Sequence, residues 1–340
     1  MADTTQTLSL TVLAQQYRGD VVRQINRQCA VLRVLPIVTG AGKNVAWAPE
    51  ADGAVAESFS EGADAANFGS DAQASAILEW GAYRSNFHVS GLAMAAAQSS
   101  GTPAGNADVW GRNLANSGAK LASSINAAIH AGAGTTGTIA GFGVALGSAS
   151  NTYAGIDRSQ AGNAFFRPII SDPGSLTIPS FASIRKHQGL IYSACGEYPD
   201  LAFCPVDVFD TIGGLFDGTR QFVQMVNTAR GEIKLEAGYE GISFNGTVFL
   251  RDKDAVANKI VFVNSRHVRI EVLPPAVPGL SEVMSKIMTA NDGFGVVPLS
   301  MIYEKLAKSG DSDKAQVKTY AQLVVDRPNS CGMMLNVGTV

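Results

Sequence analysis

The sequence predicts an α+β chain in which an extended arm and a projecting hairpin precede a mixed body. Three observations predict this class. Charge reverses between two adjacent segments, from +3 over residues 1–43 to −6 over residues 44–90. A run of about 24 residues repeats apolar side chains at helical spacing, enough for a helix of roughly 36 Å. Beyond residue 150, helices and short apolar strands alternate with turn signals and no fixed repeat.

Composition says what kind of surface this chain carries. Of its 340 residues 46% are hydrophobic and only 16% charged, against about a quarter charged in an ordinary soluble domain. A surface so poor in charge is expected to be covered, so self-association is the first inference. A net charge of −3 creates no overall basic field and excludes a dedicated nucleic-acid binder. Cys29, Cys195, Cys204 and Cys331 have no CxxC spacing, and His88, His130, His187 and His267 are equally scattered. Neither structural zinc nor any other metal or cofactor is expected, and a reducing compartment is. MADTTQTLSL lacks the basic start and apolar run of a secretion signal, and no stretch approaches the ~20 apolar residues that cross a bilayer. Synthesis and residence in a cytoplasm follow as the expectation.

The arm, residues 1–43, holds Arg18, Arg23, Arg27, Arg33 and Lys43 against Asp3 and Asp20. Asp20 suits the cap of a short helix with Val21, Ile25, Cys29 and Leu32 on one face. Three roles fit its four arginines: contact with another subunit, phosphate contact with nucleic acid, and a solvated helix face.

In residues 44–90, Glu50, Asp52, Glu57, Glu61, Asp64, Asp71 and Glu79 face Arg84 alone. The middle of this segment is rich in Gly, Ala, Ser and Asp and builds no core. Its ends, Asn44–Pro49 and Ile77–Val89, have the aromatic and β-branched content of strands. The reading is a long hairpin whose tip leaves the body. A two-stranded ribbon is marginal alone in water, so it needs a surface to lie on, and another subunit is expected to supply it. Glu50, Asp52, Glu57, Glu61 and Asp64 are the candidate contact residues.

A loop, 99–108, leads to the long helix, with Trp110, Leu114, Leu121, Ile125 and Ile129 on one face. Ala115, Gly118, Ala119, Ala122 and Ala127 permit close approach, and Gly132-Ala133-Gly134 stops the run. A second helix is expected over Pro179–Cys195, closed by Gly196, with Phe181, Ile184, Ile191 and Cys195 inward. A third begins with Pro205 at its first position and continues through Val208, Ile212 and Phe216. Asn245-Gly246 signals a type I′ hairpin between Ile242/Phe244 and Val248/Leu250. NKIVFVN and RHVRIEV are expected to form a further pair, and Val317, Ala321, Leu323 and Val325 to share one strand face.

Motifs that would mean chemistry are weak here. Gly132-Ala133-Gly134-Thr135-Thr136-Gly137 spells GxGxxG, but after a helix and not between strand and helix, so it reads as a helix stop. Asn245-Gly246-Thr247 is a formal sequon better explained as a turn, and Arg18-Gly19-Asp20 a chance tripeptide at a cap. Cys195 and Cys204 sit in or beside apolar stretches, as buried structural cysteines do. No GxSxG elbow, phosphate loop or framed carboxylate pair occurs, so no enzyme is expected.

TYAGIDRSQAGNAFFRPII (152–170) resembles the "YGGIDR" segment of major capsid proteins of tailed bacteriophages, which share the Hong Kong 97-type fold. The resemblance continues in order. PSFASIRKHQGLIYSACGEYPDLAFCPVDVFDTI resembles that family's A-domain helix, strand and second helix. GYEGISFNGTVFLRDKDAVANKIVFVN resembles its strand array, and TYAQLVVDRPNSCGMMLNV its closing P-domain strand. The resemblance implies an N-arm over 1–43, an E-loop hairpin over 44–90 and a P-domain over 91–145 with a spine helix at 106–131. An A-domain over 146–275 and remaining A- and P-domain strands with the tail over 276–340 complete it. It also implies an icosahedral head shell of hexamers and pentamers around double-stranded DNA, assembled in the bacterial cytoplasm, and no enzymatic activity. The implied partners are copies of itself, a portal protein, a separate scaffolding protein, a decoration protein and packaged DNA touched non-specifically, with no membrane.

Two departures refine this expectation. Some members weld their shells through an E-loop lysine, whereas no lysine occurs from Asn44 to Ala119. The arm also leaves no room for a fused scaffolding segment. A shell held without such cross-links is expected. Two rivals stand beside it: an encapsulin-like nanocompartment of the same fold, less favoured by the long hairpin and arm, and an α/β enzyme using the glycine-rich stretch 132–147.

Overall fold

The computed structural model describes residues 29–51, 53, 56–58, 60–61, 64, 68–99, 109–216, 225–228, 231–234, 242–273, 299–308 and 310–339. The expected helix from Asp20 to Gln28 and most of the 99–108 loop lie outside the described residues. The chain is helical at α1 (Ala30–Val34), with Cys29 and Leu32 buried as their spacing predicts, and continues into β1 (Ile37–Thr39). Four short strands follow: β2 (Asn44–Trp47), β3 (Glu50–Ala51), β4 (Ala72–Gln73) and β5 (Ala76–Glu79). They nest as a hairpin, β2 antiparallel to β5 and β3 to β4.

The return strand of that hairpin is shorter than the sequence suggests. Trp80 interrupts it, and β6 (Gly81–Ser90) leaves the ribbon to pair with residues 312–321 of the body. Its odd-numbered side chains turn inward from Gly81 to Val89, so a ten-residue ladder and a buried face replace the exposure a longer ribbon would suffer. The adjoining helix α2 (Gly91–Ser99) gives no apolar periodicity and was not expected.

The spine of the body is α3 (Val109–Ala131), which buries Leu114, Leu121, Ile125 and Ile129 together with Ala115, Gly118 and Ala122. Small residues at three of those positions let the helix lie close against β6. At Gly132 a Cβ would fall 2.3 Å from the Ile139 carbonyl oxygen, so only glycine permits the reversal. The chain then folds back through an Ala133–Ala140 bridge into α4 (Phe142–Ala145). The GxGxxG run is a helix stop, as expected.

Next come β7 (Thr152–Tyr153), β8 (Ile156–Asp157), a 3-10 turn at Ala161–Phe166 and β9 (Ile169–Ser171). Helix α5 (Phe181–Cys195) begins at Ser180, whose hydroxyl accepts from the Ser183 amide while Ser183 Oγ accepts from the Ser180 amide. Such a reciprocal cap contributes about 1 kcal/mol. Gly196 ends the helix at φ +77°. Strand β10 (Leu201–Cys204) leads to α6 (Val206–Leu215), in which Pro205 is the N-cap and not the first helical residue. A small hairpin, β11 (Met225–Thr228) with β12 (Gly231–Lys234), precedes β13 (Ile242–Phe244) and β14 (Thr247–Arg251). Asn245 and Gly246, both at positive φ, form the tight turn that their identity predicts. Gln188 of α5 donates to Thr247 Oγ1 at 2.8 Å and holds that turn to the helix.

The remaining strands are β15 (Ile260–Val263), β16 (Val268–Val272), β17 (Ile302–Leu306), β18 (Ser312–Val325) and β19 (Gly332–Met334). The expected pairing of β15 with β16 is not made. β15 sits inside a six-stranded sheet of order β13-β14-β10-β15-β19-β9, and β16 inside a five-stranded sheet of order β1-β16-β18-β17, with β6 also on β18. Burial explains the separation. Every β15 side chain is buried, as in a strand covered on both faces, whereas β16 alternates as a one-sided strand does. Asn264–His267 carry the chain between the sheets, and Asp200 accepts from the Ser265 amide at 2.8 Å to fix the crossing. On β18 the expected face, Val317, Ala321, Leu323 and Val325, is buried.

The six-stranded sheet divides the core. Leu201, Phe203, Val248, Leu250, Val261 and Val263 face the cluster that contains the spine helix and the other sheet. Ala202, Cys204, Phe249, Ile260 and Phe262 face α5 and α6. The period-two alternation of one strand set thus serves two cores.

Candidate assembly interface

The ribbon carries the acidic residues singled out by sequence. Glu50 lies on β3 with an exposed side chain and accepts from Gln73 Nε2 across the strand pair at 3.4 Å. Glu57, Glu61 and Asp64 are exposed beyond it; Asp52 lies outside the described residues. Asp71 Oδ1 accepts from the Gly53 amide at 3.0 Å and closes the inner part of the hairpin. Glu57, Glu61 and Asp64 thus fall within the segment that joins the two arms of the hairpin, which has four cross-strand residue pairs at its base and two further out. Ile77 donates its amide to Ala154 O at 2.9 Å and moors the base to the body.

Of the arm residues, Arg18, Arg23 and Arg27 lie outside the described residues. Arg33 is on α1, half-buried. What fixes the inner end of the arm is a residue that sequence reading passed over. Asp252, 3% exposed on the turn after β14, accepts from the Ala30 amide at 3.2 Å. It also accepts from Asn126 Nδ2 at 2.9 and 3.0 Å and from the Asp254 amide at 2.9 Å, while His130 Nε2 lies 3.4 Å away. Burial pushes the Asp252 carboxyl up, but the donors, led by His130, outweigh it and hold it below the usual carboxylate range. One carboxylate joins the start of α1, the spine helix and the six-stranded sheet. The only sequence signal was Asp-Lys-Asp after a strand, which spacing alone does not separate from an exposed turn.

Groups able to do chemistry are held in structural roles. Ser171 Oγ lies 2.7 Å from His187 Nδ1, a nucleophile–base distance. Burial draws His187 down to about 4, which makes it a poor base, and among the described residues its Nε2 has no hydrogen-bond partner. Burial pushes the Cys29 and Cys331 thiols up to about 12, and that of Cys204 higher still, so these sulfurs stay protonated and inert. Arg158 is fully buried against the stacked rings of Tyr153 and Phe166, 4.7 and 5.4 Å from their centroids, and donates to Ala145 O at 2.8 Å. Burial lowers it to about 10. Among the described residues no group of His, Cys, Asp or Glu is arranged to hold a metal ion, and no helix is long and apolar enough to cross a membrane.

A nested ribbon, a long spine helix and a two-sheet body are features of the Hong Kong 97-type fold, and this chain has that fold. In particular it is similar to the capsid asymmetric unit of Cyanophage A-1(L), with a TM-score of 0.72 over 96% of this chain and 98% of that one at 17% identity. The capsid of a native GTA particle aligns at 0.62 with 12% identity, covering 95% of each chain. The holo-SrpI encapsulin complex of Synechococcus elongatus PCC 7942 aligns at 0.57 with 11% identity, covering 99% and 97%. No protein-family model and no curated protein sequence matches the chain. At these identities the likeness is one of fold, extending over nearly the whole of each chain.

Proposed function

We propose that the chain is a major capsid protein, which assembles as hexamers and pentamers into an icosahedral shell around double-stranded DNA. The observation that carries this reading is the acidic ribbon, an element with no core of its own on a body whose fold is otherwise that of shell subunits. A neighbouring copy supplies the surface it lies on, and large summed contact area compensates for weak single contacts. The exposed carboxylates Glu50, Glu57, Glu61 and Asp64 meet a basic patch there, to which arm arginines Arg18, Arg23, Arg27 and Arg33 contribute. The shell is held without E-loop cross-links, because residues 44–119 contain no lysine to weld. A portal protein, a separate scaffolding protein and DNA touched non-specifically complete the set of partners, and the subunit catalyses nothing.

Expression of the chain followed by electron microscopy tests the reading. Closed shells or polyhead tubes are expected, and a small discrete oligomer overturns it. The encapsulin-like alternative shares the fold, and the likeness to SrpI encapsulin favours it as the second reading. Neighbouring genes resembling terminase, portal and head–tail joining proteins support the capsid; a single cargo-enzyme gene supports the nanocompartment.

A further inference from the structure

One ring is left conspicuously in water. Phe68 is 88% exposed, more than any other large apolar side chain among the described residues. It sits on the return side of the ribbon between the exposed carboxylates Asp64 and Asp71, in a stretch that pairs with no strand. A phenylalanine kept in solvent forgoes the gain of burial, and an apolar side chain rimmed by charge marks a contact.

A receiving surface with the opposite pattern lies on the body. A groove of about 420 Å³ runs between β9, the loop at 172–179, helix α5 and the segment after β19, lined by Ile170, Pro173, Ile178, Leu190, Met334 and Val337. Ile178 is 52% exposed and Leu190 43%, with Leu176 nearby at 64%. These three sit in water on one side of the molecule. The groove borders the end of a sheet, since β9 is its last strand and, among the described residues, pairs with β19 alone. Its charge is supplied by α5, which carries Arg185 and Lys186 and no carboxylate. Arg185 is drawn over the Phe244 ring at 5.8 Å, leaving Lys186 on the groove wall. The one acid in the lining, Asp172, accepts from the Gly174 amide at 2.8 Å and from Asn336 Nδ2 at 2.7 Å. These bonds favour the ionised carboxylate and hold it against its own loop and the segment after β19.

We infer that this groove is the seat of the ribbon of a second copy, with Phe68 as the inserted ring and Lys186 facing the carboxylates at Asp64 and Asp71. The inference rests on the shell reading and names the surface on which the ribbon lies. Size and sign both select the occupant: the volume falls within the range of about 300–1,000 Å³ typical of sites that enclose a guest. An apolar slot with a lysine on its wall, on a helix that carries two cations and no carboxylate, suits an aromatic set between acids.

Cross-linking tests this directly. Phe68→Cys is combined with Ile178→Cys in a Cys195→Ser background, treated with a short bismaleimide, and run on a denaturing gel, with shell formation followed by electron microscopy. Ladders of covalent multimers are expected from this pair. Phe68→Cys with Leu306→Cys, on the outer strand of the other sheet, is expected to give none. Shells without a ladder from the groove pair, or a ladder from the Leu306 pair in its place, overturn the inference and leave the shell reading standing. Absence of shells from the unmodified chain removes the shell reading and this inference with it. A second variant, Phe68→Ala, should raise the protein concentration needed for assembly about tenfold, with the unfolding midpoint of the isolated subunit unchanged. An unchanged assembly threshold overturns the inference.

Discussion

The backbone amide of Ala30 donates to the carboxylate of Asp252, 222 positions further along the chain, at 3.2 Å. That bond ties the first turn of α1 to the turn that follows β14, and Asn126 and His130 of the spine helix converge on the same carboxylate. Asp252→Ala should therefore destabilise the subunit by about 3–5 kcal/mol, the cost of removing one partner from a buried charged network. Thermal unfolding measures this. Limited proteolysis should show the chain before residue 30 cut faster in the variant than in the parent.

The same carboxylate sets an acid limit. Its folded value is depressed, so its contribution is fully present above the unfolded value of about 3.9 and is lost as pH falls through the lower folded value. Asp252→Asn should be less stable at neutral pH and should lose less than the parent between pH 4 and pH 2. Parallel acid-unfolding curves for the two proteins would refute this.

His187 acts in a higher window. Burial lowers it from 6.5 to about 4, so the unfolded chain takes up its proton first. Stability from this residue is complete above pH 6.5 and declines as pH falls toward 4, by roughly 3 kcal/mol in all. Replacing His187 with Gln should flatten the stability–pH profile across that interval, which chemical denaturation at several pH values would reveal.

Gly132 is held by sterics alone. Gly132→Ala places a methyl group 2.3 Å from one backbone oxygen and 2.4 Å from another. Backbone must shift, at a cost of about 1–3 kcal/mol, readable as a lower unfolding midpoint. Phe203→Ala, which empties a position stacked on Phe142 with centroids 5.9 Å apart, should cost more, about 3–5 kcal/mol.

Neutralising Glu57, Glu61 and Asp64 together, to Gln, Gln and Asn, probes the ribbon. Surface changes of this kind alter subunit stability by only about 0.5 kcal/mol. Assembly should nonetheless slow or go astray, and lose its dependence on ionic strength. Light scattering across a salt series checks this. Equal yields with equal salt response would show that these charges play no part in assembly.

Sequence revealed what local rules control. The spine helix, the capped start and glycine end of α5, the Asn245-Gly246 turn and the one-sided face of β18 follow from spacing and turn chemistry within a few residues. What escaped depends on partners distant in the chain. Residues 81–90 alternate like any hairpin strand, and nothing local says that their partner is 312–321 and not 44–51. β15 and β16 are adjacent, apolar and separated by a short turn, so a hairpin was the natural reading. Only the full burial of one and half burial of the other separates them. On the candidate interface the acids of the ribbon were legible because charge is visible in composition. Asp252 was not, since its importance lies in donors 126 and 222 residues away, and Phe68 was lost among small residues until its exposure was known.

The position of β18 bears on the timing of synthesis. β6 has its ladder partner in residues 312–321, and β19 fills an interior slot of the six-stranded sheet. The five-stranded sheet thus stays open until residue 321 has emerged from the ribosome, and the six-stranded sheet until residue 334 has. A nascent subunit holds its early strands unpaired and its surfaces unfinished, so one polypeptide must close its own body before it can join its neighbours. The chain order itself separates folding from association.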